Sequence, residues 1–217
     1  FEQAKERCEK LLDRGYVPDN AVRLGRIYQE SGRLGRAADH YRRALRTIGL
    51  SRSALEDPVF PVVCDSDCDA YRAFLGLGQC LAELDSPAAA SGCLRSAAAL
   101  RTSAPEAYAA FGELMLDRNM PAQAAQCFRR ARDDARNGLK ARALRGLARV
   151  AERHGDAAAA FQRAVDAVQA HPADRASIEM ADRLGRSLGK YRELARLHEE
   201  HLRFRPADAD SLRSLAE

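Results

Sequence analysis

Residues 77–97 read LGQCLAELDSPAAASGCLRSA and residues 111–131 read FGELMLDRNMPAQAAQCFRRA, and the two stretches align without a gap at a spacing of 34. Each opens on a large apolar residue followed by glycine (Leu77-Gly78, Phe111-Gly112) and places Leu81 or Met115 one turn later. Each then breaks, at Asp85-Ser86-Pro87 or Asn119-Met120-Pro121, and resumes with Ala90, Leu94 and Ala97 or with Ala124, Phe128 and Ala131. Small and apolar residues three and four apart mark a helix face, and a polar residue shortly before proline marks a turn. Each stretch therefore reads as two helices joined by a tight turn.

The same anchors recur on both sides. Upstream they are Leu24-Gly25, Tyr28, Gly32, Ala37, Tyr41 and Ala44; downstream, Leu147-Ala148, Ala151, Gly155-Asp156, Ala160, Ala164, Ala167 and Pro172. A fifth copy keeps Gly189, Tyr191, Leu194, Leu202 and Pro206, with Ala181-Asp182 where the Leu-Gly pair would sit. Measured on the small residue of that pair, from Gly25 through Gly78, Gly112 and Ala148 to Asp182, the steps are 53, 34, 36 and 34 residues.

This register resembles the tetratricopeptide repeat (TPR) family, whose unit is a helical hairpin of about 34 residues. The resemblance covers roughly residues 18–207, one insertion excepted. It implies an all-α fold, an α-solenoid of stacked antiparallel helical hairpins forming a TPR superhelix, with a concave groove lined by the first helix of each hairpin. The physics of the pattern agrees. A small residue in the first helix lets the second approach closely, and the Ala-x3-aromatic-x2-Ala row of the second fills the gap between repeats. On this reading 1–17 is a partial preceding helix, 18–49 is repeat 1, 50–69 an insertion loop, and 70–104, 105–140, 141–174 and 175–207 are repeats 2 to 5 of a single array. Residues 208–217 start another helix or form a cap. The opening at Phe1, without Met and inside a helical pattern (Ala4, Cys8, Leu11), points to a piece of a longer protein.

Composition narrows the function classes. The 217 residues include no Trp, and 35 basic against 31 acidic residues leave a net charge of +4 mixed along the chain, with no basic arm of the kind that binds nucleic acid. No run approaches the roughly 18 apolar residues of a membrane span. Six cysteines are scattered (Cys8, Cys64, Cys68, Cys80, Cys93, Cys127), four of them on apolar helical positions where a small thiol packs well, so a reducing, cytoplasmic location is expected.

The chain has no P-loop, G-x-G-x-x-G, H-E-x-x-H or G-x-S-x-G motif, so we expect no enzyme, cofactor or catalytic residue. Gly76-Leu77-Gly78 falls within a helix and lacks the third glycine of a phosphate loop. The stretch Cys64-Asp65-Ser66-Asp67-Cys68-Asp69 offers thiols and carboxylates, but it has no second Cys pair, and Ala70 stands where an EF-hand loop needs glycine. Asp69 is instead expected to cap a helix starting near Ala70, and no metal site is expected. A Cys64–Cys68 disulfide would need an oxidising compartment. His198 and His201, an i, i+3 pair, are expected on the surface of a second helix.

The groove is the better place to look for binding. The faces of the first helices opposite the packing anchors present Arg23, Arg26 and Gln29; Arg72, Gln79 and Glu83; Glu106, Glu113 and Asp117; Arg142, Arg145, Arg149 and Arg153; and Glu179, Arg183 and Arg186. Guanidinium groups capture carboxylates bidentately, so a protein or peptide partner with an acidic or C-terminal segment fits this lining. The competing reading has Arg142, Arg145 and Arg149 paired with Glu113 and Asp117 of the adjacent helix. Some TPR proteins hold chaperone tails in a clamp of Lys and Asn; here Val22, Arg26, Gly76, Glu106 and Ala110 stand at those places, which argues against that role. The alternative function is structural, with self-association or docking of flanking domains through solenoid ends, where Leu212 and Leu215 lie.

Overall fold

The structure, a computed structural model, describes residues 18–54, 66–101, 103–204, 206 and 212, the side chains of 50–54, 66 and 67 excepted. The described residues form ten α-helices and no strand: α1 (Pro18–Glu30), α2 (Leu34–Ala54), α3 (Ser66–Glu83), α4 (Pro87–Leu100), α5 (Pro105–Asp117), α6 (Pro121–Asp134), α7 (Asn137–Arg153), α8 (Ala157–Ala170), α9 (Arg175–Ser187) and α10 (Tyr191–Phe204). The chain forms two compact units, Phe1–Ala107 and Tyr108–Glu217.

The hairpin turns share one backbone device. Gly32, Asp85, Asn119, Gly155 and Gly189 all have φ between 55° and 75°, the left-handed region. Each amide bonds back three residues, and the next amide bonds back five, as in Asn119 N to Leu116 O (2.9 Å) and Met120 N to Met115 O (2.8 Å). This Schellman closure satisfies the last carbonyls of the first helix. Asp and Asn are the non-glycine residues that tolerate the conformation best, so the turns without glycine still obey the rule. The second helix restarts on Pro87 or Pro121 at its first position, or on Asp156, whose carboxylate accepts the Ala159 amide at 2.9 Å.

In the first unit, α1 packs on α2, α2 on α3 and α3 on α4. The ring of Tyr41 is clasped between two glycines. A Cβ on Gly25 of α1 would stand 2.7 Å from Cε1 of the ring, and one on Gly76 of α3 would stand 2.3 Å from Cζ. Leu94 of α4 sits against Gly78 in the same way. In the second unit α6 packs on α7, α7 on α8, α8 on α9 and α9 on α10. Phe128, fully buried, lies between Gly112 and Gly146, where a Cβ would meet its Cε1 at 2.7 and 2.4 Å. Phe161, Ile178, Leu184, Leu194 and Leu197 form the core of the last three helices.

Several expectations change. α2 runs to Ala54 and α3 begins at Ser66, so helix occupies both ends of the span 50–69. Asp69 is accordingly an interior residue of α3, buried at 6 % exposure and 3.8 Å from Arg72, and not a cap. His198 and His201 are buried rather than on the surface: His198 Nε2 lies 3.0 Å from Asp182 Oδ1, and His201 Nδ1 lies 2.6 Å from the carbonyl of Pro172. Of the cysteines, Cys80 is fully buried, and Cys68, Cys93 and Cys127 are half-buried. The helix expected over 1–17, with Cys8, and also Cys64, Asp65 and Leu215 lie outside the described residues.

Gly146→Ala is expected to cost about 1–3 kcal/mol, because the new methyl must push the Phe128 ring out of a packed gap. Gly138→Ala, in the same helix with no heavy atom within 4 Å of the would-be Cβ, should be neutral or stabilising by up to about 1 kcal/mol. Urea unfolding followed by circular dichroism separates the two.

Candidate functional site

In the first unit, positions 22, 23, 26 and 29 of α1 and 72, 75, 76 and 79 of α3 fall at helical spacing on facing stripes and enclose an open cleft of about 450 Å³. The sequence-derived candidates Arg23, Arg26, Arg72 and Gln79 all line it, together with Gln29. Val22, Leu75 and the bare backbone of Gly76 supply apolar wall, and Asp19 sits at the rim. Tyr41 reaches the cleft from below, because Gly76 leaves room for its phenol: a Cβ there would lie 2.6 Å from the hydroxyl. That hydroxyl donates to Gln29 Oε1 at 3.0 Å, and Gln29 Nε2 donates to Gln79 Oε1 at 3.2 Å. Burial raises the Tyr41 pKa above its ordinary value, so the phenol stays protonated.

Among the described residues, the three cleft arginines pair along their own helices. Arg23 meets Asp19 at 2.8 Å, Arg26 meets Glu30 at 3.5 Å and Arg72 meets Asp69 at 3.8 Å, with the arginine side chains 63, 74 and 56 % exposed. The Arg23 and Arg26 pairs are of the exposed kind that hold their charges weakly, and Arg72, though its partner Asp69 is buried, is itself more than half exposed to the cleft.

The second unit handles its arginines differently. Arg142 donates through Nε and Nη2 to both oxygens of Glu113, at 2.8 and 2.5 Å, and this bidentate bond raises the arginine's pKa above its usual value. Arg149 stands 3.8 Å from Asp117, and Arg183 makes a second bidentate bond to Glu152 at 2.8 and 3.1 Å. Arg145 bonds Asp174 and, at 3.1 Å, Ser177. Arg186 pairs with Asp182 at 2.9 Å and Arg153 donates to Asn119 at 2.9 Å. The internal-pairing reading therefore describes Arg142 and Arg149, whereas Arg145 turns to a residue that the sequence pattern places at a joint between hairpins.

Register makes the contrast specific. Counted from the small residue of each first helix, Arg26 occupies the place of Glu113 (one after Gly25 and Gly112), and Arg72 the place of Arg142 (six before Gly78 and Ala148). The register positions that hold carboxylate and arginine in the second unit thus both hold arginine in the first, and both line the cleft. Gln29 and Gln79 likewise occupy the places of Glu152 and Arg183, so a neutral amide bond replaces an ion pair.

Among the described residues no group of three or more His, Cys, Asp and Glu side chains is arranged to hold a metal, and no helix is long and apolar enough to cross a membrane. The Cys80 thiol, pushed up to about 11 by burial, stays neutral. Sequence reading missed Tyr41 as a cleft residue. Its signal was Gly76, a second glycine two residues before Gly78, which has no packing role within its own hairpin.

No protein-family model and no curated protein sequence matches the chain. Solved structures do. The chain is similar to PilF of Pseudomonas aeruginosa (TM-score 0.68, 16 % identity, 91 % of this chain and 80 % of that one). It is also similar to TTC0263, a thermophilic TPR protein of Thermus thermophilus (TM-score 0.62, 17 % identity, 92 % and 97 %). A third is YrrB, described as a TPR protein with an unusual peptide-binding site (TM-score 0.57, 14 % identity, 98 % and 100 %). The chain thus has the tetratricopeptide-repeat fold, an α-solenoid of antiparallel helical hairpins.

A double-mutant cycle tests the contrast between the units. Arg142→Ala with Glu113→Ala should show a favourable coupling of about 0.5–1 kcal/mol, modest because both side chains are a third exposed. Arg72→Ala with Arg26→Ala should show none, or a coupling of opposite sign.

Proposed function

We propose that the chain is a protein-binding scaffold that holds an acidic peptide segment in an arginine-lined groove, with the cleft between α1 and α3 as the principal contact. The observation that carries this reading is the register: Arg26 and Arg72 stand where the second unit places Glu113 and Arg142 and meet Glu30 and Asp69 of their own helices at 3.5 and 3.8 Å, so an external carboxylate can bridge them as Glu113 bridges to Arg142. The self-pairing of Arg142, Arg149 and Arg183 makes those groups part of the scaffold, and they add to binding only after their own carboxylates are displaced. The likeness to YrrB, described as a TPR protein with an unusual peptide-binding site, supports the same class of role.

The test is fluorescence anisotropy of a labelled hexaglutamate peptide, with hexalysine as control, at about 50 mM and at about 300 mM salt, where exposed charges are screened. Arg26→Glu restores the register of the second unit, setting a carboxylate opposite Arg72. It should weaken hexaglutamate binding by at least about tenfold while shifting stability by less than about 0.5 kcal/mol. Unchanged affinity in that variant would sink the reading. Arg145→Glu is a poor probe, since Arg145 is only 21 % exposed and a glutamate there would meet Asp174.

A second reading, self-association through an end of the array, draws on the exposed side chains of Tyr191, Phe204 and Leu212 in the second unit. Sedimentation equilibrium of the wild type against Tyr191→Ser/Phe204→Ser decides it: a dimer that dissociates in the variant supports it, and a monomeric wild type removes it.

A further inference from the structure

The hydrogen bonds beneath the cleft run in one direction. Tyr41 gives its proton to the Gln29 carbonyl oxygen, and Gln29 gives an amide proton to the Gln79 carbonyl oxygen. Gln79 Nε2 makes no hydrogen bond among the described residues, and Gln79 is half-buried in the cleft wall on the same face of α3 as Arg72. The Tyr41 ring is fixed by Gly25 on one side and Gly76 on the other, which keeps its hydroxyl within reach of Gln29.

We infer that Tyr41 is a positioning residue, which by donating to Gln29 turns the Gln79 amide nitrogen toward the cleft and so gives the site a floor of N–H donors that selects a carboxylate side chain over its amide. This rests on the acidic-peptide reading of the cleft and adds the basis of its specificity. A carboxylate offers only acceptors, and it suits a site whose polar groups include the exposed guanidinium donors of Arg26 and Arg72 and the amide donors of Gln79. The Gln counterpart of the same peptide accepts through one oxygen only and turns an NH₂ group toward those donors, so it makes fewer of the bonds that a carboxylate makes with Arg26, Arg72 and Gln79. Electrostatic attraction alone would favour any anion; the Tyr41–Gln29–Gln79 chain adds a directional requirement that survives salt. At the equivalent place the second unit has Phe128, which carries no hydroxyl, so the device belongs to the first unit.

The experiment compares two labelled, end-blocked peptides, one with a central Glu-Glu and one with Gln-Gln in its place, by anisotropy at about 150 mM salt, using the whole chain. Wild type should prefer the acidic peptide by about tenfold or more. Tyr41→Phe keeps the ring in its slot and should leave helicity and the unfolding midpoint nearly unchanged, yet reduce the preference several-fold, to about threefold or less. Gln79→Glu should abolish it, because a carboxylate then faces the ligand, while Gln79→Asn tests whether a donor alone suffices and should retain part of it. If Arg26→Glu abolishes binding but Tyr41→Phe discriminates as well as wild type, the positioning role is overturned and the acidic-peptide reading stands. If wild type binds both peptides equally, or if Arg26→Glu binds as wild type does, the acidic-peptide reading falls and the positioning role falls with it.

Discussion

A ring caught between two backbones sets the geometry of both units. Phe128 fills the space between α5 and α7, and Tyr41 fills the space between α1 and α3, and in each case the first helices approach so closely that a methyl group on either facing glycine would overlap the ring. Full burial of such a side chain contributes about 2–3 kcal/mol, but its larger effect is positional. The ring belongs to the second helix of one hairpin and touches the first helix of the next, so one residue fixes the spacing within a hairpin and between hairpins together. Stability that is assembled from such nearest-neighbour contacts is what lets a repeat array grow without a common core.

The fifth hairpin shows what happens when the rule is relaxed. Its register places Asp182 at the small-residue position and His198 at the ring position, sixteen residues apart like Gly112 and Phe128, and the two make a partly buried polar contact instead of a ring against bare backbone. The half-buried carboxylate of Asp182 also receives Arg186, which offsets its partial desolvation. The close approach moves one turn on, to Gly185, against which both Phe161 and Leu194 pack. The interface keeps its spacing while exchanging part of its apolar contact for directional bonds.

This difference explains what was legible beforehand. The turns were readable because their constraint is local: Gly32, Asp85, Asn119, Gly155 and Gly189 each need a backbone conformation that few residues tolerate, and they recur at the same 53, 34, 36 and 34 steps as the small residues of the first helices. The arginine face was readable because it follows from helical periodicity. Pairings between residues about 16 to 32 positions apart were readable only as a competing alternative, which holds for Arg142 and Arg149 and fails for Arg145: nothing local distinguishes Arg145, which finds Asp174, from Arg142, which finds Glu113, and a histidine pair at i, i+3 looks the same on a surface as in a core. Asp69 was misplaced because α3 starts on Ser66, a residue that also suits a loop.

The cleft of the first unit is therefore a modified core position more than an added feature. Tyr41 and Phe128 do the same packing work between equivalent glycines, and a single hydroxyl distinguishes them; Gly76, which the ring requires, is also what keeps a side chain from covering that hydroxyl. Around it, the two register positions that form an ion pair in the second unit carry like charges, and the two that form another carry neutral amides. Like charges lining one gap are a small cost to the folded chain, because both arginines are exposed and each meets a carboxylate of its own helix, Glu30 or Asp69. Packing fixes where the gap lies, and charge decides that the chain's own carboxylate closes it between Glu113 and Arg142 while two arginines line it between Arg26 and Arg72.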